Sequence, residues 1–415
     1  MASFARLAGR AATGAGVLAL SPVFGLAGLA GMAMVGAGPQ VFTVTGLAVF
    51  AAMFFLGLLL CVPRPGVAWG RWLRAVLILG VEVAVVWQVA GATSRPAPGV
   101  AAPPQVPGQR EWRLTTGSRL AYVRIAPKRV THPDPVVFLH GGPGVADLAG
   151  DAAFFGRLAA DGHQVYVYDQ LGAGRSERLA DPREYGLTRD VADLEAIRQA
   201  VGARRLNLVA RDYGAQLAAA YLVRHPDRVA GAVLYSPAGL DRPSAAASLP
   251  ATGARLEPRV LAVYTLLRVE PRAAHAFAGD RELESYLDLA RRRTPGPCAT
   301  DSNTPPGPKG GSDGAGGLNG SGGSGGYAGL AERALSDPLR ESLARSPVPV
   351  LIVKGACDEQ SWSSAAAYRR ALPAARFAYA GDGAAYLKAL RAFLAGRPID
   401  AYDGADPPPG YRGPI

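Results

Sequence analysis

The chain opens with a hydrophobic tract that almost nothing polar interrupts. Between Arg10 and Arg64 there is no Asp, Glu, Lys or Arg, a gap of 53 residues. One membrane-spanning helix needs about 20 apolar residues, so the gap has room for two, and Gly38-Pro39-Gln40 breaks it in the middle. The pattern predicts spans near 15–37 and 41–62, with a third apolar run near 73–92 after the loop Pro63–Arg71. A cleaved leader would account for one such run and leave two, so three spans are expected, and 1–93 reads as a membrane domain.

After that tract the period changes. Residues 94–111, beginning SRPAPGVAAPPQVPGQ, form a Pro/Ala linker of the extended, semi-rigid kind. Beyond it, short apolar runs at Val136–Leu139, Val165–Tyr168, Leu206–Val209, Gly231–Tyr235 and Pro349–Val353 read as buried strands. Helical patterns at Thr188–Val201 and Tyr213–Arg224 separate them. Such alternation predicts an α/β fold, a mostly parallel sheet with helices on both faces. The core is expected over 112–240 and 345–400, split by an insert at 241–344. Within the insert, Arg255–Arg268 and Glu282–Arg293 read as amphipathic helices, and 307–329 is a Gly/Ser-rich tract with the composition of a flexible linker. Residues 401–415 read as a Pro/Gly tail.

Composition and charge narrow the classes. With 52 Gly and 34 Pro among 415 residues the chain is rich in breakers, yet 49% hydrophobic content excludes a disordered protein. The net charge of +11 raises nucleic-acid binding. The basic residues do not cluster, however, and no groove-reading motif accompanies them, so no nucleic-acid partner is expected. Several flank the apolar spans instead. Arg6 and Arg10 lie at the N-terminus and Arg64, Arg71 and Arg74 in the second loop, whereas the Gly38-Pro39-Gln40 hairpin has none. That bias predicts a multi-pass cell-membrane protein with a cytoplasmic N-terminus and everything after the third span outside. Gly25, Ala27, Gly28 and Gly31 give the first span the small-residue face that lets helices approach. Glu82 lies mid-span in the third helix, where an acid is a functional candidate, read here as protonated and bonded to a neighbouring helix. The cysteines are Cys61, Cys298 and Cys357, with no CxxC pair, so neither a metal site nor a cofactor is expected. In an outward-facing domain Cys298 and Cys357 are able to pair.

Candidate chemistry follows the strands. His140-Gly141-Gly142-Pro143-Gly144 ends one, Asp169-Gln170-Leu171-Gly172-Ala173-Gly174-Arg175-Ser176 ends the next, and Tyr221–Val229 reads YLVRHPDRV. At these residues the chain resembles the prolyl iminopeptidase branch of the α/β-hydrolases. The resemblance covers about 112–240 and 345–396, and it implies an oxyanion hole made by the N–H groups of Gly142 and Tyr213. It also implies a nucleophile elbow at Ala210-Arg211-Asp212-Tyr213-Gly214. There the family's serine is replaced by Asp212, as in haloalkane dehalogenases and epoxide hydrolases, whose carboxylate forms an ester intermediate. The triad acid maps onto Asp358 in Lys354-Gly355-Ala356-Cys357-Asp358. The histidine position maps onto Gly383 in Ala380-Gly381-Asp382-Gly383-Ala384-Ala385-Tyr386, and no histidine follows His275. Without a base, a serine is not activated and an aspartyl ester is not cleaved. Asp382 and His275 are the replacement bases to consider, while Glu282, Glu284 and Asp288 in the insert read as a solvated helical face.

Three functions remain open on the sequence. The first is an anchored, outward-facing α/β-hydrolase-fold protein with a degenerate triad that binds a small molecule, peptide or partner. The second is an active hydrolase using Asp212. The third gives the function to the membrane helices, on Glu82 alone.

Overall fold

In a computed structural model of the chain, residues 2–99, 101–142, 146–240, 257–293, 327, 337–356 and 360–415 are described. The helices, in chain order, are α1 (Ala2–Met34), α2 (Pro39–Cys61), α3 (Ala68–Ser94), α4 (Leu148–Phe155), α5 (Leu187–Ala200) and α6 (Tyr213–Arg224). They continue with α7 (Pro258–Val269), α8 (Pro271–Phe277), α9 (Asp280–Arg293), α10 (Asp337–Leu343), α11 (Trp362–Ala371) and α12 (Gly383–Leu394). The strands are β1 (Gln109–Arg113), β2 (Arg119–Ile125), β3 (Val136–Leu139), β4 (Val165–Tyr168), β5 (Leu206–Asp212), β6 (Val229–Pro237), β7 (Val350–Gly355) and β8 (Arg376–Ala380). The chain divides into two compact units, Met1–Pro98 with Ala251–Glu282 and Gly99–Pro250 with Leu283–Ile415.

In the first unit, α1, α2 and α3 are each long and apolar enough to cross a membrane. Helix α1 stops three residues short of the expected span end because Gly36 takes φ 81°, a left-handed turn that glycine adopts without steric cost. Helix α2 then starts with Pro39, whose missing N–H and fixed φ suit a first helical position. The two helices meet through glycine. A β-carbon added to Gly25 would lie 2.8 Å from the Phe50 Cβ, and one added to Gly46 would lie 2.8 Å from the Leu29 Cβ. Gly31 faces open space, so the predicted small-residue face holds at Gly25 and Gly28 and not beyond. Arg74 donates to the carbonyls of Leu59 at 2.9 Å and Val62 at 3.1 Å, satisfying the acceptors that α2 leaves at its C-terminus. One carboxylate oxygen of Glu82 is buried without a partner among the described residues, so the expected bond to a neighbouring helix is not observed there.

Helices α7 and α8 belong to this same unit and are held by Arg259. Its guanidinium meets Glu282 at 2.5 Å and the carbonyls of Thr93 at 2.8 Å and Phe277 at 2.9 Å, and lies 4.3 Å from the Phe277 ring centre. Both charged residues are 7% exposed. Glu282 is thus no solvated face, contrary to the sequence expectation, because burial of Arg259 demands a carboxylate beside it.

The second unit is built on one eight-stranded sheet in the order β1-β2-β4-β3-β5-β6-β7-β8. Strands β4, β3, β5, β6, β7 and β8 run parallel, and β1 and β2 add an antiparallel edge. The five predicted strands form, and the parallel ones carry near-continuous apolar runs because helices cover both faces. Val136, Phe138, Val167, Val209 and Val353 make one core with Phe154 and Phe155 of α4 and Tyr386 and Leu390 of α12. The β1–β2 edge escapes the apolar-run signal because β1 has Trp112 as its one apolar residue and arginines flank the four-residue apolar run of β2. It is fastened by Trp112 stacked on Tyr122 at 3.8 Å.

Candidate active site

The order of the sheet decides where a ligand can approach. From β3 the chain moves outward to β4, then returns to lay β5 on the other side of β3. The connections after β3 and β5 therefore diverge in opposite directions, the topological switch point at which open α/β sheets offer a crevice for ligands, at the carboxyl ends of these two strands. The two chain segments there are His140-Gly141-Gly142 after β3 and Asp212 at the end of β5.

Asp212 is the last residue of β5 and the N-cap of α6, with φ 51° and ψ −118°. A non-glycine residue with positive φ costs on the order of 1–3 kcal/mol and persists only where the surroundings impose it. Here they do. Gly214 lets α6 approach β3 so closely that an added β-carbon would lie 2.2 Å from the Leu139 carbonyl oxygen. Gly141 likewise has no room, since its added β-carbon would lie 2.8 Å from the Asp212 Cβ. The turn is a sharp strand-to-helix elbow, as the motif predicts.

The carboxylate of Asp212 is held at both oxygens. The Gly142 N–H donates to Oδ2 at 2.8 Å, and the Gln360 side-chain amide donates to Oδ1 at 2.6 Å. Gly142 sits at φ 126°, which only a glycine tolerates, in the turn that brings its N–H onto the Asp212 carboxylate. Tyr213, whose N–H the resemblance pairs with that of Gly142, is the first residue of α6. Its side chain is buried, with the hydroxyl donating to Asp190 at 2.5 Å. Gln360 and Tyr368 carry no motif and escape a sequence reading. Tyr368, on α11, is buried with its hydroxyl unpaired among the described residues, and burial first and the Asp212 charge second raise its phenol well above the usual range. Asp358, expected as the triad acid, lies outside the described residues, as do Pro143, Gly144, Cys298, Cys357 and, save Tyr327, the Gly/Ser tract.

Beneath the elbow the neighbouring Arg211 points away from the crevice. It lies 3.6 Å from the buried Asp151 and over the Phe138 ring at 5.7 Å. Burial raises Asp151 to about 7, outweighing the pull of Arg211. The second loop is locked on itself. Asp169 accepts from the Arg175 N–H at 2.9 Å, Ser176 donates to the Asp169 carbonyl at 2.5 Å, and burial raises Asp169 to about 7.

The histidines are accounted for elsewhere. His140 accepts at Nε2 from the Gln170 N–H at 2.8 Å and bonds the Gly141 carbonyl through Nδ1 at 2.8 Å. That arrangement fixes one neutral tautomer and ties the two loops together. His132 and His163 stack on each other at 3.9 Å, in the wall of a cavity of about 440 Å³ at the amino ends of the strands. His225 follows α6, and His275 lies in the first unit, 3.4 Å from Asp280. Gly383 opens α12, and Asp382 caps that helix by accepting from the Ala385 N–H at 2.8 Å. Of the insert carboxylates, Glu284 is fully buried 3.4 Å from Arg178, again not a solvated face.

Residues 134–377 match the family model described as the alpha/beta hydrolase fold, which covers more than half of the chain. The chain belongs to the α/β-hydrolase fold family. Over 105 residues it is 40% identical to the proline iminopeptidase of Heyndrickxia coagulans and 36% identical to that of Neisseria gonorrhoeae. Those matches take in 25% of this chain and 35% and 33% of the two relatives, so the chain spans about a third of the length of the relatives it matches. Among solved structures, an esterase from Rhodococcus sp. ECU1013 aligns with 70% of this chain and all of its own at 19% identity and a TM-score of 0.46. A proline iminopeptidase from Mycobacterium smegmatis aligns with 69% of this chain and 95% of its own at 19% identity and a TM-score of 0.41. The resemblance drawn from HGGPG and the loop after β4 stands.

Proposed function

We propose that this chain is an anchored, outward-facing α/β-hydrolase-fold protein, similar to proline iminopeptidases, whose triad is degenerate and which binds a ligand rather than turning it over. One observation carries the reading. The Gly142 N–H, the donor that would stabilise an oxyanion, is already bonded to the carboxylate of Asp212 at 2.8 Å. A tetrahedral intermediate needs that donor at the moment charge develops. A fixed negative charge in its place repels the developing oxyanion and favours instead a neutral or cationic group in the crevice. The base position supports the same conclusion, since Gly383 has no side chain and Asp382 is spent on capping α12. The anchoring rests on α1, α2 and α3 and the orientation on the arginines of the loops.

The test is turnover by the full chain in detergent micelles against aminoacyl amides, short esters, an epoxide and a haloalkane, paired with Asp212→Asn. Equal rates in the two proteins are expected. Turnover that disappears in Asp212→Asn would overturn the proposal. It would establish the second reading, an active hydrolase with Asp212 as nucleophile, which is favoured by the strained elbow that presents this carboxylate.

A further inference from the structure

Residues 401–415, a Pro/Gly tail by composition, are built into the second unit along β8 and at the carboxyl end of β7. The Tyr402 N–H donates to the Phe377 carbonyl of β8 at 2.7 Å, and the Trp362 indole donates to the Ala405 carbonyl at 2.8 Å. Trp362 is then enclosed edge-on by Phe377, Tyr402 and Tyr411, with ring centres 5.2 to 5.8 Å away. Further along, the segment reaches the carboxyl end of β7. There the Arg412 N–H donates to the Ala356 carbonyl at 2.8 Å, and the Trp362 N–H donates to the Pro414 carbonyl at 2.8 Å.

These last two bonds fall on either side of Gln360. Ala356 precedes it and Trp362 follows it in the chain, and its amide lies on Asp212 Oδ1 at 2.6 Å. The main chain of Gln360 is gripped as well. Its carbonyl accepts from the ammonium of Lys354, which is fully buried in β7, and the Tyr411 hydroxyl, which donates to the Pro414 carbonyl at 2.9 Å, lies 3.5 Å from it. The Lys354 ammonium also lies 5.8 Å from the centre of the Tyr411 ring.

We infer that residues 407–415 belong to the site: they hold Gln360 in place through Ala356, Trp362 and Tyr411, and Gln360 is the positioning residue that holds the Asp212 carboxylate on the Gly142 N–H. The inference rests on Asp212 being the group that faces the ligand, as proposed above. A Gln360 left without these staples has more conformations to lose before its amide can reach Oδ1. With the staples, the amide is already in place and Oδ1 is withheld from any electrophile in the crevice. The segment thereby sets how available the carboxylate is.

Alkylation of Asp212 by styrene oxide measures that availability directly. The carboxylate oxygen forms a new bond to a ring carbon, the epoxide C–O bond breaks, and the alkoxide takes a proton from water, so the reaction needs no triad base. The full chain in micelles is treated and the ester on Asp212 quantified by peptide mapping, with Asp212→Asn as the blank. Gln360→Ala should raise the rate about tenfold, the order that one hydrogen bond to a charged group supplies. A chain stopped after Asp406, which keeps the Tyr402 and Ala405 contacts, should raise it similarly and add nothing on top of Gln360→Ala. Tyr411→Ala in the full chain is the second variant, should the shortened chain not fold, and is expected to act in the same direction.

A shortened chain and a Tyr411→Ala variant that both label at the native rate would remove the segment from the site. Additive effects would show that segment and amide act independently. Native rates, or no label at all, in Gln360→Ala would end the positioning role of Gln360. Because labelling requires no turnover, a chain found to be an active hydrolase leaves this test intact.

Discussion

Replacing Gly214 by alanine tests the elbow with the fewest side effects. An added β-carbon would meet the Leu139 carbonyl oxygen at 2.2 Å, the Leu139 carbonyl carbon at 2.7 Å and the His140 carbonyl oxygen at 2.8 Å. All three are backbone atoms, so no side-chain rotation relieves the contact. Reaching even a tight separation needs a shift of about 1 Å between the first turn of α6 and the end of β3, an overpacking cost of about 3 kcal/mol. Alanine is also the better helix former by about 1 kcal/mol, which offsets part of this. The clash wins, and the net loss is about 2 kcal/mol. For a unit of this size that lowers the melting temperature by about 4–8 °C. The same shift would stretch the Gly142–Asp212 bond from 2.8 Å beyond hydrogen-bonding range. Thermal unfolding of the full chain in micelles, followed by tryptophan fluorescence, reads the effect. Gly381→Ala is the control, since Gly381 has nothing within 4 Å of an added β-carbon, and it should change stability by less than about 0.5 kcal/mol. A Gly214→Ala protein that melts at or above the native temperature would refute the close packing of elbow and strand.

Two further outcomes are expected. Asp382→Ala should cost about 1 kcal/mol through the lost cap of α12 and leave ligand binding unchanged, measured by melting and by titration; if binding or turnover collapses while the fold survives, Asp382 has a chemical role. Burial, the largest cause in each case, raises Asp151 and Asp169 from 3.8 to about 7. In both, the folded state holds the proton more tightly than the unfolded chain, so their contribution is complete below about pH 4 and is lost as pH rises through about 7. Asp169→Asn should therefore gain melting temperature relative to the native chain between pH 5 and pH 8, and a difference that stays constant across that range would contradict the shift.

The fold was largely legible because its signals are local. The five apolar runs that read as strands are the parallel strands β3 to β7, since a strand buried on both faces cannot hide its composition. The elbow was legible for a related reason: only glycine at 141, 142 and 214 permits the turn and the approach that the structure contains. The antiparallel strands β1 and β2 left a weaker trace, because charged residues outnumber apolar ones in β1 and arginines flank the short apolar run of β2. Glu282 and Glu284 misled, because a charged residue on an amphipathic helix looks the same whether it meets water or a buried arginine.

By itself the sequence determined the three apolar helices, a mostly parallel sheet, and the presence of Asp212 between the strand β5 and the helix α6. What it left undecided was what that carboxylate does, because this depends on partners far away in the chain. Gly142 lies 70 residues from Asp212 and Gln360 lies 148, and only the crossing of β3, β5 and β7 at their carboxyl ends brings the three together. Hydrogen bonds act over about 3 Å, so the state of the carboxylate belongs to the tertiary structure, as do the staples of residues 407–415, which the composition presents only as a run of prolines and glycines.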